Sequence, residues 1–167
     1  MPDTAVANWF GDVIAKPKVL VEAQSANDIV RILKNPAKYP SPVRAFGSNH
    51  STAPCSAADG GTMIRMRGMN RILEVTEDSV TVEAGAILID VAQALKNQGF
   101  QFYVNTEIGN LSIGSAACAG TKDSSMPGEF GQVNSYCTRI KMVLPSGKIL
   151  EANESDNPEL MQMLRCS

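Results

Sequence analysis

One histidine, His50, stands in 167 residues, and the four cysteines, Cys55, Cys118, Cys137 and Cys166, form no CxxC pair. A chain this poor in imidazole and without paired thiols offers no zinc site, so metal is not expected. The cysteines read as reduced thiols of a cytoplasmic protein. Positive charge is not in excess either. Fifteen Lys and Arg against seventeen Asp and Glu leave a net charge of −2, which argues against nucleic acid or an anionic membrane as partner. Lys16, Lys18, Arg31, Lys34 and Lys38 are spread over solvated faces rather than gathered in a stripe. No apolar run is long enough to cross a bilayer, and the start, Met1 to Ala15, lacks a basic segment followed by an apolar block. Two nucleotide signatures are missing as well. No GxGxxG follows a strand, which argues against a Rossmann fold. "GNLSIGSA" has the glycine spacing of a P-loop, but Ser115 stands where the phosphate-clamping lysine belongs.

What is present is a globular composition, 44% hydrophobic and 19% charged, with enough chain for one domain or two small lobes. "KVLVEA" (Lys18–Ala23) is a short β run. "SANDIVRILKN" follows as a helix, with Ser25 as cap, Asp28 completing a capping box, and Ile29, Ile32 and Leu33 as its apolar stripe. The three prolines of "NPAKYPSP" end it, and "PVRAF" (Pro42–Phe46) is the next strand. This is a β-α-β lobe over residues 1–56, with its two strands expected to pair in parallel.

Residues 57–167 form a second α+β lobe. "TMIRMRGMNRILEV" and "SVTVEAG" alternate as strands. "ILIDVAQALKNQG" is an amphipathic helix carrying Ile87, Leu88, Val91 and Leu95 and stopped by Gly99. "TRIKMVLPSGKILEA" is a hairpin turning at Pro145-Ser146-Gly147, and Asn157 caps a last helix that has Pro158 at its first position. The strands of this lobe are expected to be mainly antiparallel. The chain then stops at "LRCS", with no strand returning to the sheet. It reads as the N-terminal fragment of a longer protein, truncated within its domain.

Two glycine-rich loops carry the chemistry. The first surrounds His50 in "RAFGSNHSTAPCSAADGG". A positive φ at Gly47 would let successive N–H groups converge on an anion, with Ser48, Asn49 and Ser51 adding side-chain donors. An ordinary connecting turn explains this stretch equally well. The second is "EIGNLSIGSAACAGTKDSS", tiny at almost every position from Ser112 to Thr121. Such a run lets backbone approach a flat or charged ligand, and it also suits close helix–sheet packing. Cys118 within it reads as a small buried residue.

Taken in order, Arg44, "GSNHS", "VEAG" (Val82–Gly85), "LSIGSA" and "AGTKDSS" resemble the FAD-binding domain of the vanillyl-alcohol oxidase/p-cresol methylhydroxylase superfamily. The likeness runs from Asn8-Trp9 to Leu164, and "NWFGDV" with "GSNHS" looks most like the sugar-alcohol and aldonolactone oxidase branch. The resemblance implies a two-lobed, PCMH-type FAD-binding fold and FAD as cofactor. It assigns Arg44, Phe46, Gly47, Ser48, Asn49, His50 and Ser51 to the pyrophosphate, with main-chain N–H groups from Phe46 to His50 as donors. His50 falls where relatives attach the flavin through its 8α-methyl carbon. Ser112, Gly114, Ser115, Ala119, Gly120 and Thr121 would line the ring and ribitol phosphate, while Val133 and Ile140 would touch the adenosine end.

Departures are Ser115 for the second glycine of a pair and Lys122-Asp123 for a His-Gly. The implied function is a flavin-dependent oxidoreductase acting on an alcohol, sugar alcohol, lactone or hydroxy acid, with oxygen or another acceptor. A substrate domain outside the chain would hold the small-molecule substrate, so no catalytic base is assigned. The alternatives are a non-catalytic flavin- or nucleotide-binding module and a flavoprotein like the cell-wall precursor reductase. The latter's Ile-Pro-Gly segment is missing at "TEIGNLSIG".

Overall fold

A computed structural model describes residues 5–121 and 131–165. The chain divides into two compact units, Met1–Met69 with Val143–Lys148, and Asn70–Met142 with Ile149–Ser167. Each has its own core.

The first unit opens with two very short antiparallel strands, β1 (Val6–Ala7) and β2 (Ile14–Ala15), joined by a loop that turns at Gly11 with φ +78°. Its main sheet contains β3 (Val19–Glu22), β4 (Val43–Phe46) and β5 (Thr62–Arg65), all parallel, in the order β3-β5-β4. The strands flanking helix α1 (Ala26–Leu33) therefore do not pair with each other as the sequence led us to expect; each pairs with β5.

The reason lies in β5 itself. Thr62, Met63 and Ile64 are at most 2% exposed. Successive side chains point to opposite faces of a sheet. Met63 joins Ala15, Phe46 and Ala58 in one cluster, and Ile64 joins Ala23 and Ile32 in another. A strand buried on both sides takes the central place. Its buried polar side chain is satisfied, since Thr62 Oγ1 donates to the Pro40 carbonyl at 2.9 Å. The unit accordingly runs past residue 56, to Met69.

Helix α1 starts as its sequence dictates. The Asp28 N–H donates to Ser25 Oγ at 3.2 Å, and Asp28 Oδ2 accepts from the Ser25 hydroxyl and the Gln24 N–H. The Ser25 hydroxyl, with Arg31 beside it, holds the Asp28 carboxyl below its ordinary range.

In the second unit β6 (Ile72–Val75) and β7 (Val80–Val82) are antiparallel, and helix α2 (Leu88–Lys96) follows. Ala86, Val91 and Leu95 form the core with Val75, Val80, Val82 and Ile113 packed around them. Gly99 closes α2 at φ +82°. A short helix α3 (Ile113–Cys118) and a 3-10 turn (Val133–Tyr136) precede strands β8 (Arg139–Val143) and β9 (Ile149–Asn153) and helix α4 (Pro158–Arg165). The β8–β9 connection, Val143–Lys148, counts with the first unit and turns as expected: Gly147, at φ +80°, donates its N–H to the Leu144 carbonyl. Asn157 differs from expectation. It takes φ +67°, its carbonyl accepts the Met161 N–H, and its side chain donates to Glu151 O instead of capping α4. No helix among the described residues is long and apolar enough to cross a membrane.

Candidate functional site

The first loop leaves β4 at Phe46. That ring is core, 9% exposed, with the Arg65 guanidinium 5.7 Å from its centroid, so the Phe46 side chain is taken up by the fold. The Phe46 carbonyl accepts the Met66 N–H, which anchors the loop to the end of β5. Arg44 is exposed; its main chain is paired with β5, and its side chain has no hydrogen-bond or ion-pair partner among the described residues.

The left-handed residue of the loop is Asn49, at φ +56°, and not Gly47. Asparagine tolerates this region better than other side chains do, and here its amide holds the turn. Asn49 Nδ2 donates to the Ala7 carbonyl at 2.9 Å, and Asn49 Oδ1 accepts from the Ser56 hydroxyl at 2.7 Å. The Asn49 side chain therefore serves the fold rather than a ligand.

The next partners come from the β1–β2 hairpin. Asn8, 6% exposed, donates Nδ2 to the Ser51 carbonyl at 2.9 Å and to Asp12 Oδ1 at 2.7 Å, while its Oδ1 accepts the Asp12 and Val13 N–H groups. The Trp9 N–H donates to the Asn49 carbonyl at 2.8 Å. Ser51 Oγ accepts the Ala53 N–H.

A loop held this firmly still has unmet polar groups. The Ser48 hydroxyl and His50 Nδ1 are buried and have no hydrogen-bond partner among the described residues. The main-chain N–H groups of Gly47, Ser48, Asn49 and His50 likewise meet no acceptor there. Burying a polar group without a partner costs about 1–3 kcal/mol. These donors fit a phosphate, and the ring nitrogen fits a group brought alongside it.

The second loop, in the other unit, is built differently. Ser112 is 3% exposed and its hydroxyl shares a 3.0 Å hydrogen bond with Ser115. The N–H groups of Ile113 and Gly114 donate to the carbonyls of Ala86 and Ala84, both at 2.8 Å. A Cβ on Gly114 would stand 3.0 Å from the Ala84 Cβ and carbonyl oxygen. Close packing thus accounts for Gly114. Ser115, Ala119 and Gly120 are exposed, Thr121 is half-buried, and the Thr121 carbonyl accepts the Val133 N–H. Val133 in the 3-10 turn and Ile140 in β8 are half-buried. Lys122-Asp123 and the rest of "KDSS" lie outside the described residues. Cys118 and Cys137 are free and half-buried, and burial pushes both thiols above their ordinary range.

A contact that sequence reasoning missed holds this loop's platform. Glu83 of "VEAG", 9% exposed, accepts the Arg71 guanidinium on Oε1 at 2.7 Å and the Arg71 N–H on Oε2 at 2.9 Å. The Arg71 hydrogen bond, working against partial burial, keeps the Glu83 carboxyl below its usual range. Its only sequence signal is an acid directly after the short strand Val80–Val82.

The family model described as "FAD binding domain" matches residues 17–153. The chain belongs to that family. The resemblance read from Arg44, "GSNHS" and "VEAG" is borne out, and FAD is the cofactor of the domain. Curated relatives include L-gulonolactone oxidase of Mus musculus, 26% identical over 95% of this chain and 36% of that protein. L-gulono-1,4-lactone dehydrogenase of Mycobacterium tuberculosis is 28% identical over 90% of this chain and 35% of its own length. D-arabinono-1,4-lactone oxidase of Candida glabrata is 26% identical over 93% of this chain and 30% of the relative. The chain spans about a third of the length of these relatives. Among solved structures, 6-hydroxy-D-nicotine oxidase from Arthrobacter nicotinovorans superposes with a TM-score of 0.85 at 19% identity, over 96% of this chain and 35% of that one. Chitooligosaccharide oxidase gives 0.73 at 18% identity, over 90% and 33%. These structures show the fold: a mixed α and β, PCMH-type FAD-binding domain.

Proposed function

We propose that the chain is the FAD-binding part of a flavin-dependent oxidoreductase that oxidises an alcohol carbon in a sugar alcohol, lactone or hydroxy acid. The observation that carries it is the loop after β4, where buried Ser48 Oγ and His50 Nδ1 and a run of free N–H groups have no partner of their own. Gly47 to His50 would hold the pyrophosphate through main-chain donors, with Ser48 Oγ adding a side-chain donor and Arg44 supplying positive charge. Ser112, Ser115, Ala119, Gly120 and Thr121 would present a surface of small residues to the rest of the cofactor. Val133 and Ile140 would meet its adenosine end. FAD, when bound, supplies the two-electron acceptor for the substrate's C–H bond.

His50 is the chain's one imidazole. A neutral imidazole is a competent nucleophile, and we assign it the covalent bond to the flavin 8α carbon: one proton would leave the 8α-methyl group and one the imidazole, and the electron pair would reside on the flavin until the protein's oxidant, oxygen or another acceptor, removes it. The lactone names of the relatives favour a lactone or sugar-acid substrate. Those names include both oxidases and a dehydrogenase, so either oxygen or another oxidant serves as acceptor.

The reading is tested by reconstituting the chain with FAD. Protein precipitated with acid is expected to keep its yellow flavin, and His50→Ala to release at least nine-tenths of it. Free flavin from the unsubstituted chain would remove the covalent assignment, and a colourless protein would remove the cofactor assignment. Anaerobic reduction of the flavin by aldonolactones or polyols, in the full-length gene product, separates an oxidoreductase from a flavin-binding module without turnover.

A further inference from the structure

Trp9 and Phe10 are 64% and 61% exposed, large apolar side chains with no core to fill. The indole instead lies on the His50 imidazole, with ring centroids 5.6 Å apart and planes inclined by 21°. Phe10 buttresses it edge-on at 4.9 Å and 89°. The chain beneath the stack is tied down at three consecutive residues, by main chain at Ala7 and Trp9 and by side chain at Asn8. Ala7 accepts from the Asn49 side chain, Asn8 donates to the Ser51 carbonyl, and the Trp9 N–H donates to the Asn49 carbonyl. His50 is thus bracketed on both sides in sequence and covered on one face, while its Nδ1 is buried without a partner. A flat ring covers another at little entropic cost, since an indole has only two side-chain torsions to fix.

We infer that Trp9 is a positioning residue for His50: stacked on the imidazole, it sets the ring in its cofactor-facing orientation before the cofactor arrives. Trp9 acts through His50 and does not itself touch the flavin. The inference rests on the reading of this loop as the FAD site. Ordering a side chain during binding typically weakens affinity by about two- to tenfold, and a ring ordered beforehand avoids that loss.

The test uses the ligand-free chain and an FAD analogue lacking the 8-methyl group, so that binding stays reversible whether or not His50 bonds to natural FAD. Dissociation constants are measured for the unsubstituted chain, Trp9→Ala, Trp9→Leu, Trp9→Phe, His50→Ala and Trp9→Ala/His50→Ala. Removing the flat ring, in Trp9→Ala or Trp9→Leu, is expected to weaken binding about three- to tenfold, and Trp9→Phe less than twofold. In the His50→Ala background Trp9→Ala is expected to change nothing further.

The single histidine gives one set of imidazole proton resonances. The indole ring current should displace these in the ligand-free chain, and Trp9→Leu should return them to ordinary positions. Equal affinity in the unsubstituted chain and Trp9→Leu overturns the inference. So does a loss that persists undiminished without His50, or an imidazole spectrum indifferent to Trp9. A chain that binds no analogue although its ring-current shift is intact overturns the FAD reading, and this inference with it.

Discussion

Asn49 carries more of the first loop than any other residue there. Its backbone sits at φ +56°, its amide nitrogen reaches back to Ala7, and its amide oxygen holds Ser56. A left-handed glycine would turn the chain as easily but could make neither bond. Asn49→Ala is expected to lower unfolding free energy by about 1–3 kcal/mol, from two lost hydrogen bonds and a strained backbone. Urea titration measures it, and an unchanged midpoint would show that the loop has other supports. Gly47 illustrates what single residues hide. Glycine is the default for a positive φ, and the sequence offers Gly47 next to the serines. The chain places the left-handed turn two residues later because Asn49 also has long-range partners to satisfy. Ser48 and His50 follow the opposite course, since their polar atoms are left without partners inside the loop.

Among the elements, α1, α2 and the β8–β9 turn were legible in the sequence, because a cap, an apolar stripe or a turn glycine is a signal within a few residues. The packing of α3 was not. Gly114 lies against Ala84 and gives its N–H to the Ala84 carbonyl, thirty positions back. A run of small residues looks the same whether a ligand or a neighbouring strand demands it. Likewise Glu83 and Arg71 are ordinary surface types until β6 and β7 bring them together.

That pair has a pH signature. The folded Glu83 carboxyl lies below its ordinary value near 4.5. Its contribution to stability is therefore complete above that value and is lost as pH falls through the lower, folded one. In Glu83→Gln the stability–pH curve between about pH 5 and 3 should be flatter than in the unsubstituted chain. Parallel acid limbs in the two proteins would refute the role given to this carboxylate.

For the molecule as a whole, each unit stands on a core of its own, and in the first unit that core is organised by β5. Ile64 is 2% exposed and packs with Ala23 and Ile32. Ile64→Ala is expected to cost about 2–5 kcal/mol. Faster amide hydrogen exchange in β3, β4 and β5 reads the effect, and unchanged protection there would contradict a central β5.

The sequence by itself determined several local pieces: the strands β3, β4 and β7, the helices α1 and α2, the β8–β9 turn, and two loops of tiny residues on either side of "VEAG"; it missed β1 and β2 and ran β5 and β6 together as one stretch. The pieces it determined follow from backbone sterics, side-chain periodicity and capping, all of which act over a few residues. Only the tertiary structure decided that β5 enters between β3 and β4, that the Asn8–Trp9 hairpin grips the His50 loop, and that Arg71 pins Glu83. Each of these is a contact between groups distant in the chain, whose free energy exists only when both partners have been brought together and their water removed. No local pattern of residues encodes that event.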